Sequence, residues 1–336
     1  MHPTPDVEIS VVVPTYKGAA SLPELVERID AFFTARGLRG EIVVVNDASP
    51  DLTWSIVEKL TEEHESVVGI DLLSNHGQAT ATLCGIAHAR GILVATIDDD
   101  LQHMPEDLGN LLDALEEHPD WDAAIGTWDR DQSSPVKRFG SWIHAVTDRY
   151  SHGTPKGFRH TSFRLMRRPL ADALVEHETR TPVLGPLITQ MSNHVYNVPV
   201  RHVPRPYGSS TITVRESVNR VVDNIVHGTT LPLRLLARLG LVAAGGSILV
   251  SAYLVARFAL GSHAPEGWTS VFLATMFFGG ACLLGIATIG RYLSVIVEET
   301  RGRPKWTVRT VSRVQSTRPA VAARGRRGEA AEADTA

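Results

Sequence analysis

Cysteine is almost missing: Cys84 and Cys282 are the only two in 336 residues. They stand in segments of different character and lack metal-ligand spacing. That excludes a disulfide framework and a cysteine-built zinc site, and both read as buried reduced thiols. None of the fourteen histidines falls in an HExxH pattern, which removes that class of metallohydrolase. A strong excess of either charge is lacking as well. The formal net charge is −4, so overall charge gives no support to nucleic-acid binding. The first ten residues contain Pro3, Pro5, Asp6 and Glu8 but no apolar core of a signal peptide. The first domain is therefore expected to stay where it is synthesised. With 43% hydrophobic and 21% charged residues, the chain can bury a core, and its length suits one large domain with an appendage.

The first half alternates short apolar runs with helical patterns. Ile9 to Pro14, Glu41 to Asn46, Val67 to Leu73 and Ile92 to Ile97 read as buried strands, rich in β-branched residues. Between them, Leu22, Leu25, Val26 and Ile29 fall at helical spacing, as do Trp54, Ile56, Val57 and Leu60. Asp51 or Thr53 is placed to cap the second helix. A third helix is expected over Gln78 to Arg90, stopping at Gly91. This alternation predicts an α/β fold with a doubly wound, mostly parallel sheet. In such sheets ligands sit beyond the carboxyl ends of the strands. Three strand ends carry polar sets: Pro14-Thr15-Tyr16, Asn46-Asp47 and Asp98-Asp99-Asp100. The stretch from 120 to 212 is less regular and yields no strand assignment.

Beyond it, Val214, Val218, Val221, Val222, Ile225 and Val226 form an apolar stripe at helical period, with Arg215 and Arg220 off it. That pattern suits a helix on a membrane surface or one packed on the domain. Leu239 to Ala256 and Gly267 to Gly290 contain no charged residue. A spanning helix needs roughly 20 apolar residues, so both read as transmembrane spans, with glycines that suit close helix packing. The cations Arg301, Arg303, Lys305, Arg309, Arg313 and Arg318 cluster after the second span. The positive-inside rule then predicts a multi-pass inner-membrane (plasma-membrane) protein with its catalytic domain and both termini cytoplasmic. The expected division is a domain over 1–212, a juxtamembrane helix over 213–232, two spans over 233–292 and a basic tail over 293–336. Residues after 316 carry almost no large apolar group and read as disordered.

Asp98, Asp99 and Asp100 follow an apolar strand directly. Hard divalent cations prefer carboxylate oxygens and are often held by one or two carboxylates plus substrate phosphates. Carboxylates one residue apart at a strand end can turn toward one opening, where a metal could bridge a diphosphate. Solvated turns also produce aspartate runs, so the cluster taken alone leaves both readings open.

The longer string Asp98-Asp99-Asp100-Leu101-Gln102-His103-Met104-Pro105-Glu106-Asp107 resembles the metal-binding segment of polyprenyl-phosphate sugar transferases in glycosyltransferase family 2. Further segments agree in order: Val11 to Tyr16, Val43 to Asp51, Asn75-His76-Gly77-Gln78, Ser162 to Leu165, and Arg205 to Ser210. The resemblance runs from about residue 8 to about 310 and includes both apolar spans. The pattern is most similar to undecaprenyl-phosphate aminoarabinose and glucose transferases, and is shared with dolichyl-phosphate mannose synthases.

That resemblance implies a GT-A-type, Rossmann-like domain with a C-terminal two-helix transmembrane hairpin. It implies transfer of a sugar from a nucleotide-diphosphate sugar, UDP ahead of GDP, to undecaprenyl or decaprenyl phosphate. The reaction would invert the anomeric carbon with Mg²⁺ or Mn²⁺ and supply a lipid-linked sugar for cell-envelope glycans. Partners would be the nucleotide sugar, the polyprenyl phosphate and membrane lipid, with no nucleic acid; a homo-oligomer stays open. By position, Pro14, Thr15, Tyr16, Asp47, Asn75, Gln78 and Asp98 would bind the nucleotide. Asp98, Asp100 and Gln102 would hold the metal. Asp100 and Arg164 would be catalytic, and Arg205 and Ser210 would meet the acceptor phosphate.

The chain also departs from the pattern. Lys17-Gly18 stands where relatives often have Asn-Glu, and Ser74 where many have Arg. Thr211 replaces a lysine, and Ser162 replaces an aspartate that some relatives carry. The departures at Thr211 and Ser162 motivate one alternative, a membrane scaffold that kept the fold without activity. A second alternative, a processive polysaccharide synthase, would bring a Q-x-x-R-W segment and more spans; the sequence has no such segment.

Overall fold

A computed structural model describes residues 7–128, 158–177, 183–203 and 304–313, with isolated positions between 238 and 297. The central strands form where β-branched runs can be buried on both faces. β1 (Ile9–Thr15), β2 (Gly40–Asn46) and β3 (Val67–Leu72) are buried almost throughout. β4 (Leu93–Thr96) completes a parallel core in the order β4-β1-β2-β3. Side chains alternate between two cores. Ile9, Val11 and Val13 of β1 join one, with Ile42 and Val44 of β2. Val12, Val43 and Val45 join the other. α1 (Leu22–Arg36), α2 (Thr53–Glu63) and α4 (Leu108–Glu117) cover the first face. α3 (Gln78–His88), α5 (Arg168–Glu176) and α6 (Leu184–Met191) cover the second. The result is a three-layer α/β/α arrangement.

The sheet is mixed, where a mostly parallel one was expected. Its order is β7-β5-β6-β4-β1-β2-β3-β8, and only four of its seven pairings are parallel. β6 (Arg164–Arg167) runs antiparallel to both β4 and β5 (Ala123–Thr127), while β7 (Val195–Pro199) runs parallel to β5. These flanking strands lie in the stretch whose pattern gave no assignment. They are short, and β7 is only partly buried, so no strong period marks them.

Local signals hold with small shifts. Asp51 accepts from the Thr53 amide (3.2 Å) and hydroxyl (2.6 Å), but it stands one residue before the cap position, which Leu52 occupies. α3 stops at His88, two residues before the expected end. Gly91 lies so close to β1 that a Cβ there would sit 2.5 Å from the Ser10 amide nitrogen. Backbone cannot yield as a side-chain tip can, so glycine is required at this approach.

Val308–Arg313, read from the sequence as part of a basic tail, forms β8, the antiparallel edge strand beside β3. Lys305 of the same tail donates to the carbonyls of Val175 (2.6 Å) and His177 (2.5 Å) at the end of α5. The amphipathic stretch 214–226 lies outside the described residues. Both proposed spans lie mostly outside them, and among the described residues no helix is long and apolar enough to cross a membrane. The described positions between 242 and 297 are mostly helical, and they include the exposed side chains Val242, Leu249, Val271, Ile286 and Ile289.

Candidate active site

The carboxyl ends of the four central strands lie side by side, and each exit loop carries one residue in the left-handed region. Lys17 (φ 60°) follows β1, Ala48 (51°) β2, Gly77 (85°) β3 and Leu101 (56°) β4. For the three non-glycine residues this conformation costs roughly 1–2 kcal/mol each. The surrounding contacts must over-determine it, and such strain concentrates at functional loops. The Lys17 amide donates to Ser49 Oγ (3.0 Å), which ties the first loop to the second. Leu101 is held by its side chain, which is buried in the first core.

The aspartate cluster projects from the end of β4 and is tied to its neighbours through each carboxylate. Asp98 accepts from Gln78 Nε2 and from Ser162 Oγ, both at 2.5 Å. Asp99 accepts from Thr15 Oγ1 at 2.5 Å. Asp100 accepts the Gln102 amide at 3.1 Å, closing a turn. Arg164, opposite Thr96 on β6, is buried beside Asp98. Its Nε donates to the Thr161 carbonyl. The loop is also bridged to the chain beyond β7: the Val203 amide donates to the Gln102 carbonyl (3.0 Å), and His103 pairs with His202. His103 stacks on Phe163 (5.1 Å between centroids) and meets the edge of Trp128.

Electrostatics follow from this crowding. Burial raises the Asp98 carboxyl above the ordinary range, and Asp100 adds to that push, against hydrogen bonds from Ser162 and Gln78. Burial likewise raises Asp99 to about 6. Arg164 is lowered by burial to about 10, which leaves it cationic at neutral pH. A carboxyl raised on folding favours the protonated native state. Stability therefore falls as pH climbs from about 4 to about 6 and levels off above that. A shift of this size corresponds to about 3 kcal/mol. In chelator-treated protein, the loss of melting temperature between pH 4.5 and 7 is expected to be smaller for Asp99→Asn than for the parent. Equal losses in the two proteins would remove Asp99 as the cause.

Whether these groups suit a divalent ion can be judged from the donor set. Among the described residues no three His, Cys, Asp or Glu side chains converge into a cage. Mg²⁺ usually takes one or two carboxylates and draws its other ligands from phosphate and water. Crowded, partly buried carboxylates gain from such a charge, so the residues fit an ion that arrives with a diphosphate.

The expected nucleotide residues gather here. Pro14 and Thr15 are buried at the end of β1, and the Tyr16 ring is exposed beside them. Asp47 is buried, and its oxygens accept the amides of His76 (2.7 Å) and Gly77 (2.8 Å). Asn75 donates to the Asp47 carbonyl at 3.2 Å. Asp47 therefore shapes the loop that brings Gln78 to Asp98. Arg205 and Ser210 lie outside the described residues. Sequence reasoning placed Asn46 and Asp99 in polar sets at strand ends without giving either a role of its own, and it passed over Asp71. Asp71 had a usable signal, a carboxylate within the buried run Val67 to Leu72.

The family model described as "Glycosyl transferase family 2" matches residues 10–175. The undecaprenyl-phosphate 4-deoxy-4-formamido-L-arabinose transferase of Salmonella paratyphi A is 32% identical over 317 residues, covering 93% of this chain and 96% of that protein. The transferase of the same name from Salmonella dublin matches equally. Among solved structures, a Pyrobaculum calidifontis mannosyltransferase in complex with GDP-Man and Mn²⁺ is 19% identical, with a TM-score of 0.46 and 90% of each chain covered. S. aureus TarS with UDP-GlcNAc is 19% identical, with a TM-score of 0.44 and 66% of each chain covered. The sequence relationship extends over nearly the whole chain, and it places this protein in glycosyl transferase family 2 as a glycosyltransferase.

Proposed function

We propose that this enzyme moves a sugar from a nucleoside-diphosphate sugar, UDP-linked by resemblance, onto the phosphate of undecaprenyl or decaprenyl phosphate. The product would be a lipid-linked sugar donor for cell-envelope glycans. One topological observation carries the lipid half of this reading. β7 runs parallel to the core strands, so the chain leaves toward residue 204 at the carboxyl edge, beside the aspartates. β8 is antiparallel, so the chain returns at Val308 on the same edge, opposite Leu72. β7 and β8 are the two outer strands of the eight-stranded sheet. By Val203, however, the departing chain is bonded to the Gln102 carbonyl after β4, four strand positions from β8, so at roughly 4.8 Å per strand the two attachment points stand about 19 Å apart. The segment with the apolar stretches 239–256 and 267–290 is thus tethered at two points along the edge that carries the site, one at the loop after β4 and one beside β3. If those stretches span the inner membrane, the carboxyl edge faces its cytoplasmic surface, where a lipid phosphate resides. The names of the relatives support the same acceptor.

The chemistry asks little of a general base. A phosphate monoester has its second pKa near ~6, so the acceptor oxygen is already largely anionic at neutral pH. Direct displacement at the anomeric carbon, with inversion, needs no further deprotonation of the nucleophile. Ser162 at the position of an acid in some relatives is compatible with this, since its hydroxyl orients Asp98 instead. Arg164 stays cationic and can offset charge on the departing diphosphate. Asp98, Asp100 and Gln102 would hold Mg²⁺ or Mn²⁺, which when bound supplies further positive charge to that leaving group. The membrane segment confines the acceptor near the site, a proximity effect.

The test supplies membranes containing the full chain with labelled UDP- and GDP-sugars, polyprenyl phosphate and Mg²⁺ or Mn²⁺. Label is expected in the lipid phase from at least one donor, and its loss is expected on chelation. No transfer from any donor would overturn the reading. A membrane scaffold would, in addition, show no metal-dependent binding of a nucleoside diphosphate.

A further inference from the structure

The strand that follows the apolar segment reaches the site through a chain of hydrogen bonds. β8 pairs with β3, and their register slips at one point. Asp71 faces Thr310 and Leu72 faces Val308, so Arg309 is the extra residue of a bulge. Bulges re-aim side chains, and this one turns Arg309 along the carboxyl edge of β3. Arg309 Nη1 donates to Asp71 Oδ2 at 2.9 Å, and Arg309 Nη2 donates to the Leu73 carbonyl at 3.4 Å. The Asp71 side chain is only 2% exposed. Its other oxygen accepts Asn46 Nδ2 at 2.7 Å. Asn46 is also buried, and its Oδ1 accepts the Ser49 amide at 3.3 Å. Ser49 Oγ in turn accepts the Lys17 amide.

Hydrogen-bond polarity gives this chain a direction. An ionised carboxylate only accepts. Asp71 therefore requires the NH₂ of Asn46, which leaves the Asn46 carbonyl for the Ser49 amide. The reverse orientation would set NH₂ against N–H and open the loop. A buried carboxylate is costly without a cationic partner, and Arg309 is the cation that meets Asp71. We propose that Arg309 is a positioning residue that sets the loops after β1 and β2 by fixing the orientation of Asn46. The part of the proposal that concerns donor binding rests on the reading of those loops as the nucleotide site. The return from the apolar segment would then complete the donor site from the far edge of the sheet.

Two measurements on the full chain in detergent test this. The first is amide hydrogen exchange, which needs no ligand. Arg309→Ala is expected to speed exchange at Ser49 and Lys17 at least about tenfold, with Val12 in the core of β1 unchanged. The second is kinetics. The same variant is expected to raise KM for the nucleotide sugar about tenfold with kcat within about twofold, and Arg309→Lys to recover part of it. The double variant Asp71→Asn with Arg309→Leu should restore both readouts, because a neutral amide at 71 still accepts from Asn46 and needs no cation. Unchanged exchange in Arg309→Ala would overturn the proposal. So would a folded double variant as impaired as the single one, which also covers the case where Arg309→Ala fails to fold. A parent protein that binds no nucleotide diphosphate would sink the donor-site reading, while exchange would still decide the role of Arg309.

Discussion

Replacing Asp100 with asparagine is expected to lower sugar transfer by about a thousandfold while leaving the fold and membrane association intact. The substitution is nearly isosteric. Asp100 accepts the Gln102 amide to close its turn, and an asparagine oxygen can accept the same bond. What disappears is one negative charge from a crowded trio. Removing a single preorganised electrostatic group from an active site costs roughly 10²–10³ in turnover, and a lost metal contact belongs at the upper end. The same change should draw Asp98 and Asp99 downward, since Asp100 helps to raise both. Initial rates of lipid labelling measure the first effect, and thermal melts with membrane fractionation check the rest. Full activity in Asp100→Asn would strip that residue of its assigned metal role.

A second large effect is expected at Gly18. A Cβ there would collide with the Asp99 carboxylate and the Thr15 hydroxyl, which are already bonded to each other. Gly18→Ala must therefore displace one of them and disturb the loop after β1. Donor affinity is expected to fall tenfold or more, read as the dissociation constant for UDP in the presence of Mg²⁺. Adding Asp99→Ala to Gly18→Ala removes one of the two obstacles and frees the Thr15 hydroxyl, its hydrogen-bond partner, to turn aside, so it should regain part of that loss. Wild-type affinity in Gly18→Ala alone would show that the loop tolerates the crowding. The geometry also accounts for a sequence oddity. Lys17-Gly18 departs from the expected family pattern, and Asp99 fills the space that a side chain at 18 would take.

Much of this was legible in the linear chain because it rests on local patterns. β-Branched runs ending in polar sets placed the core strands and their loaded ends within a residue or two. The aspartates stood out by residue type at a strand end, whereas Arg164 and the Asn75–Gln78 loop were singled out by resemblance to glycosyltransferase family 2. β5 to β7 were not legible, since short, partly exposed strands carry weak period. β8 was misread for a different reason. Six tail cations look alike in sequence, and only the register beside β3 separates Arg309, bound to a buried aspartate, from an arginine free to meet a membrane.

By itself, then, the sequence determined that strands and helices alternate, that acidic and hydroxyl side chains cap the strands, and that two apolar stretches follow. Those are properties of near neighbours, decided by side-chain period and backbone preference. Tertiary structure alone decided that Thr15 and Asp99, or Asn46, Asp71 and Arg309, would share hydrogen bonds. Such partners are separated by 25 to 238 positions. No local preference encodes them; they meet because the order and direction of the strands bring their ends to one edge.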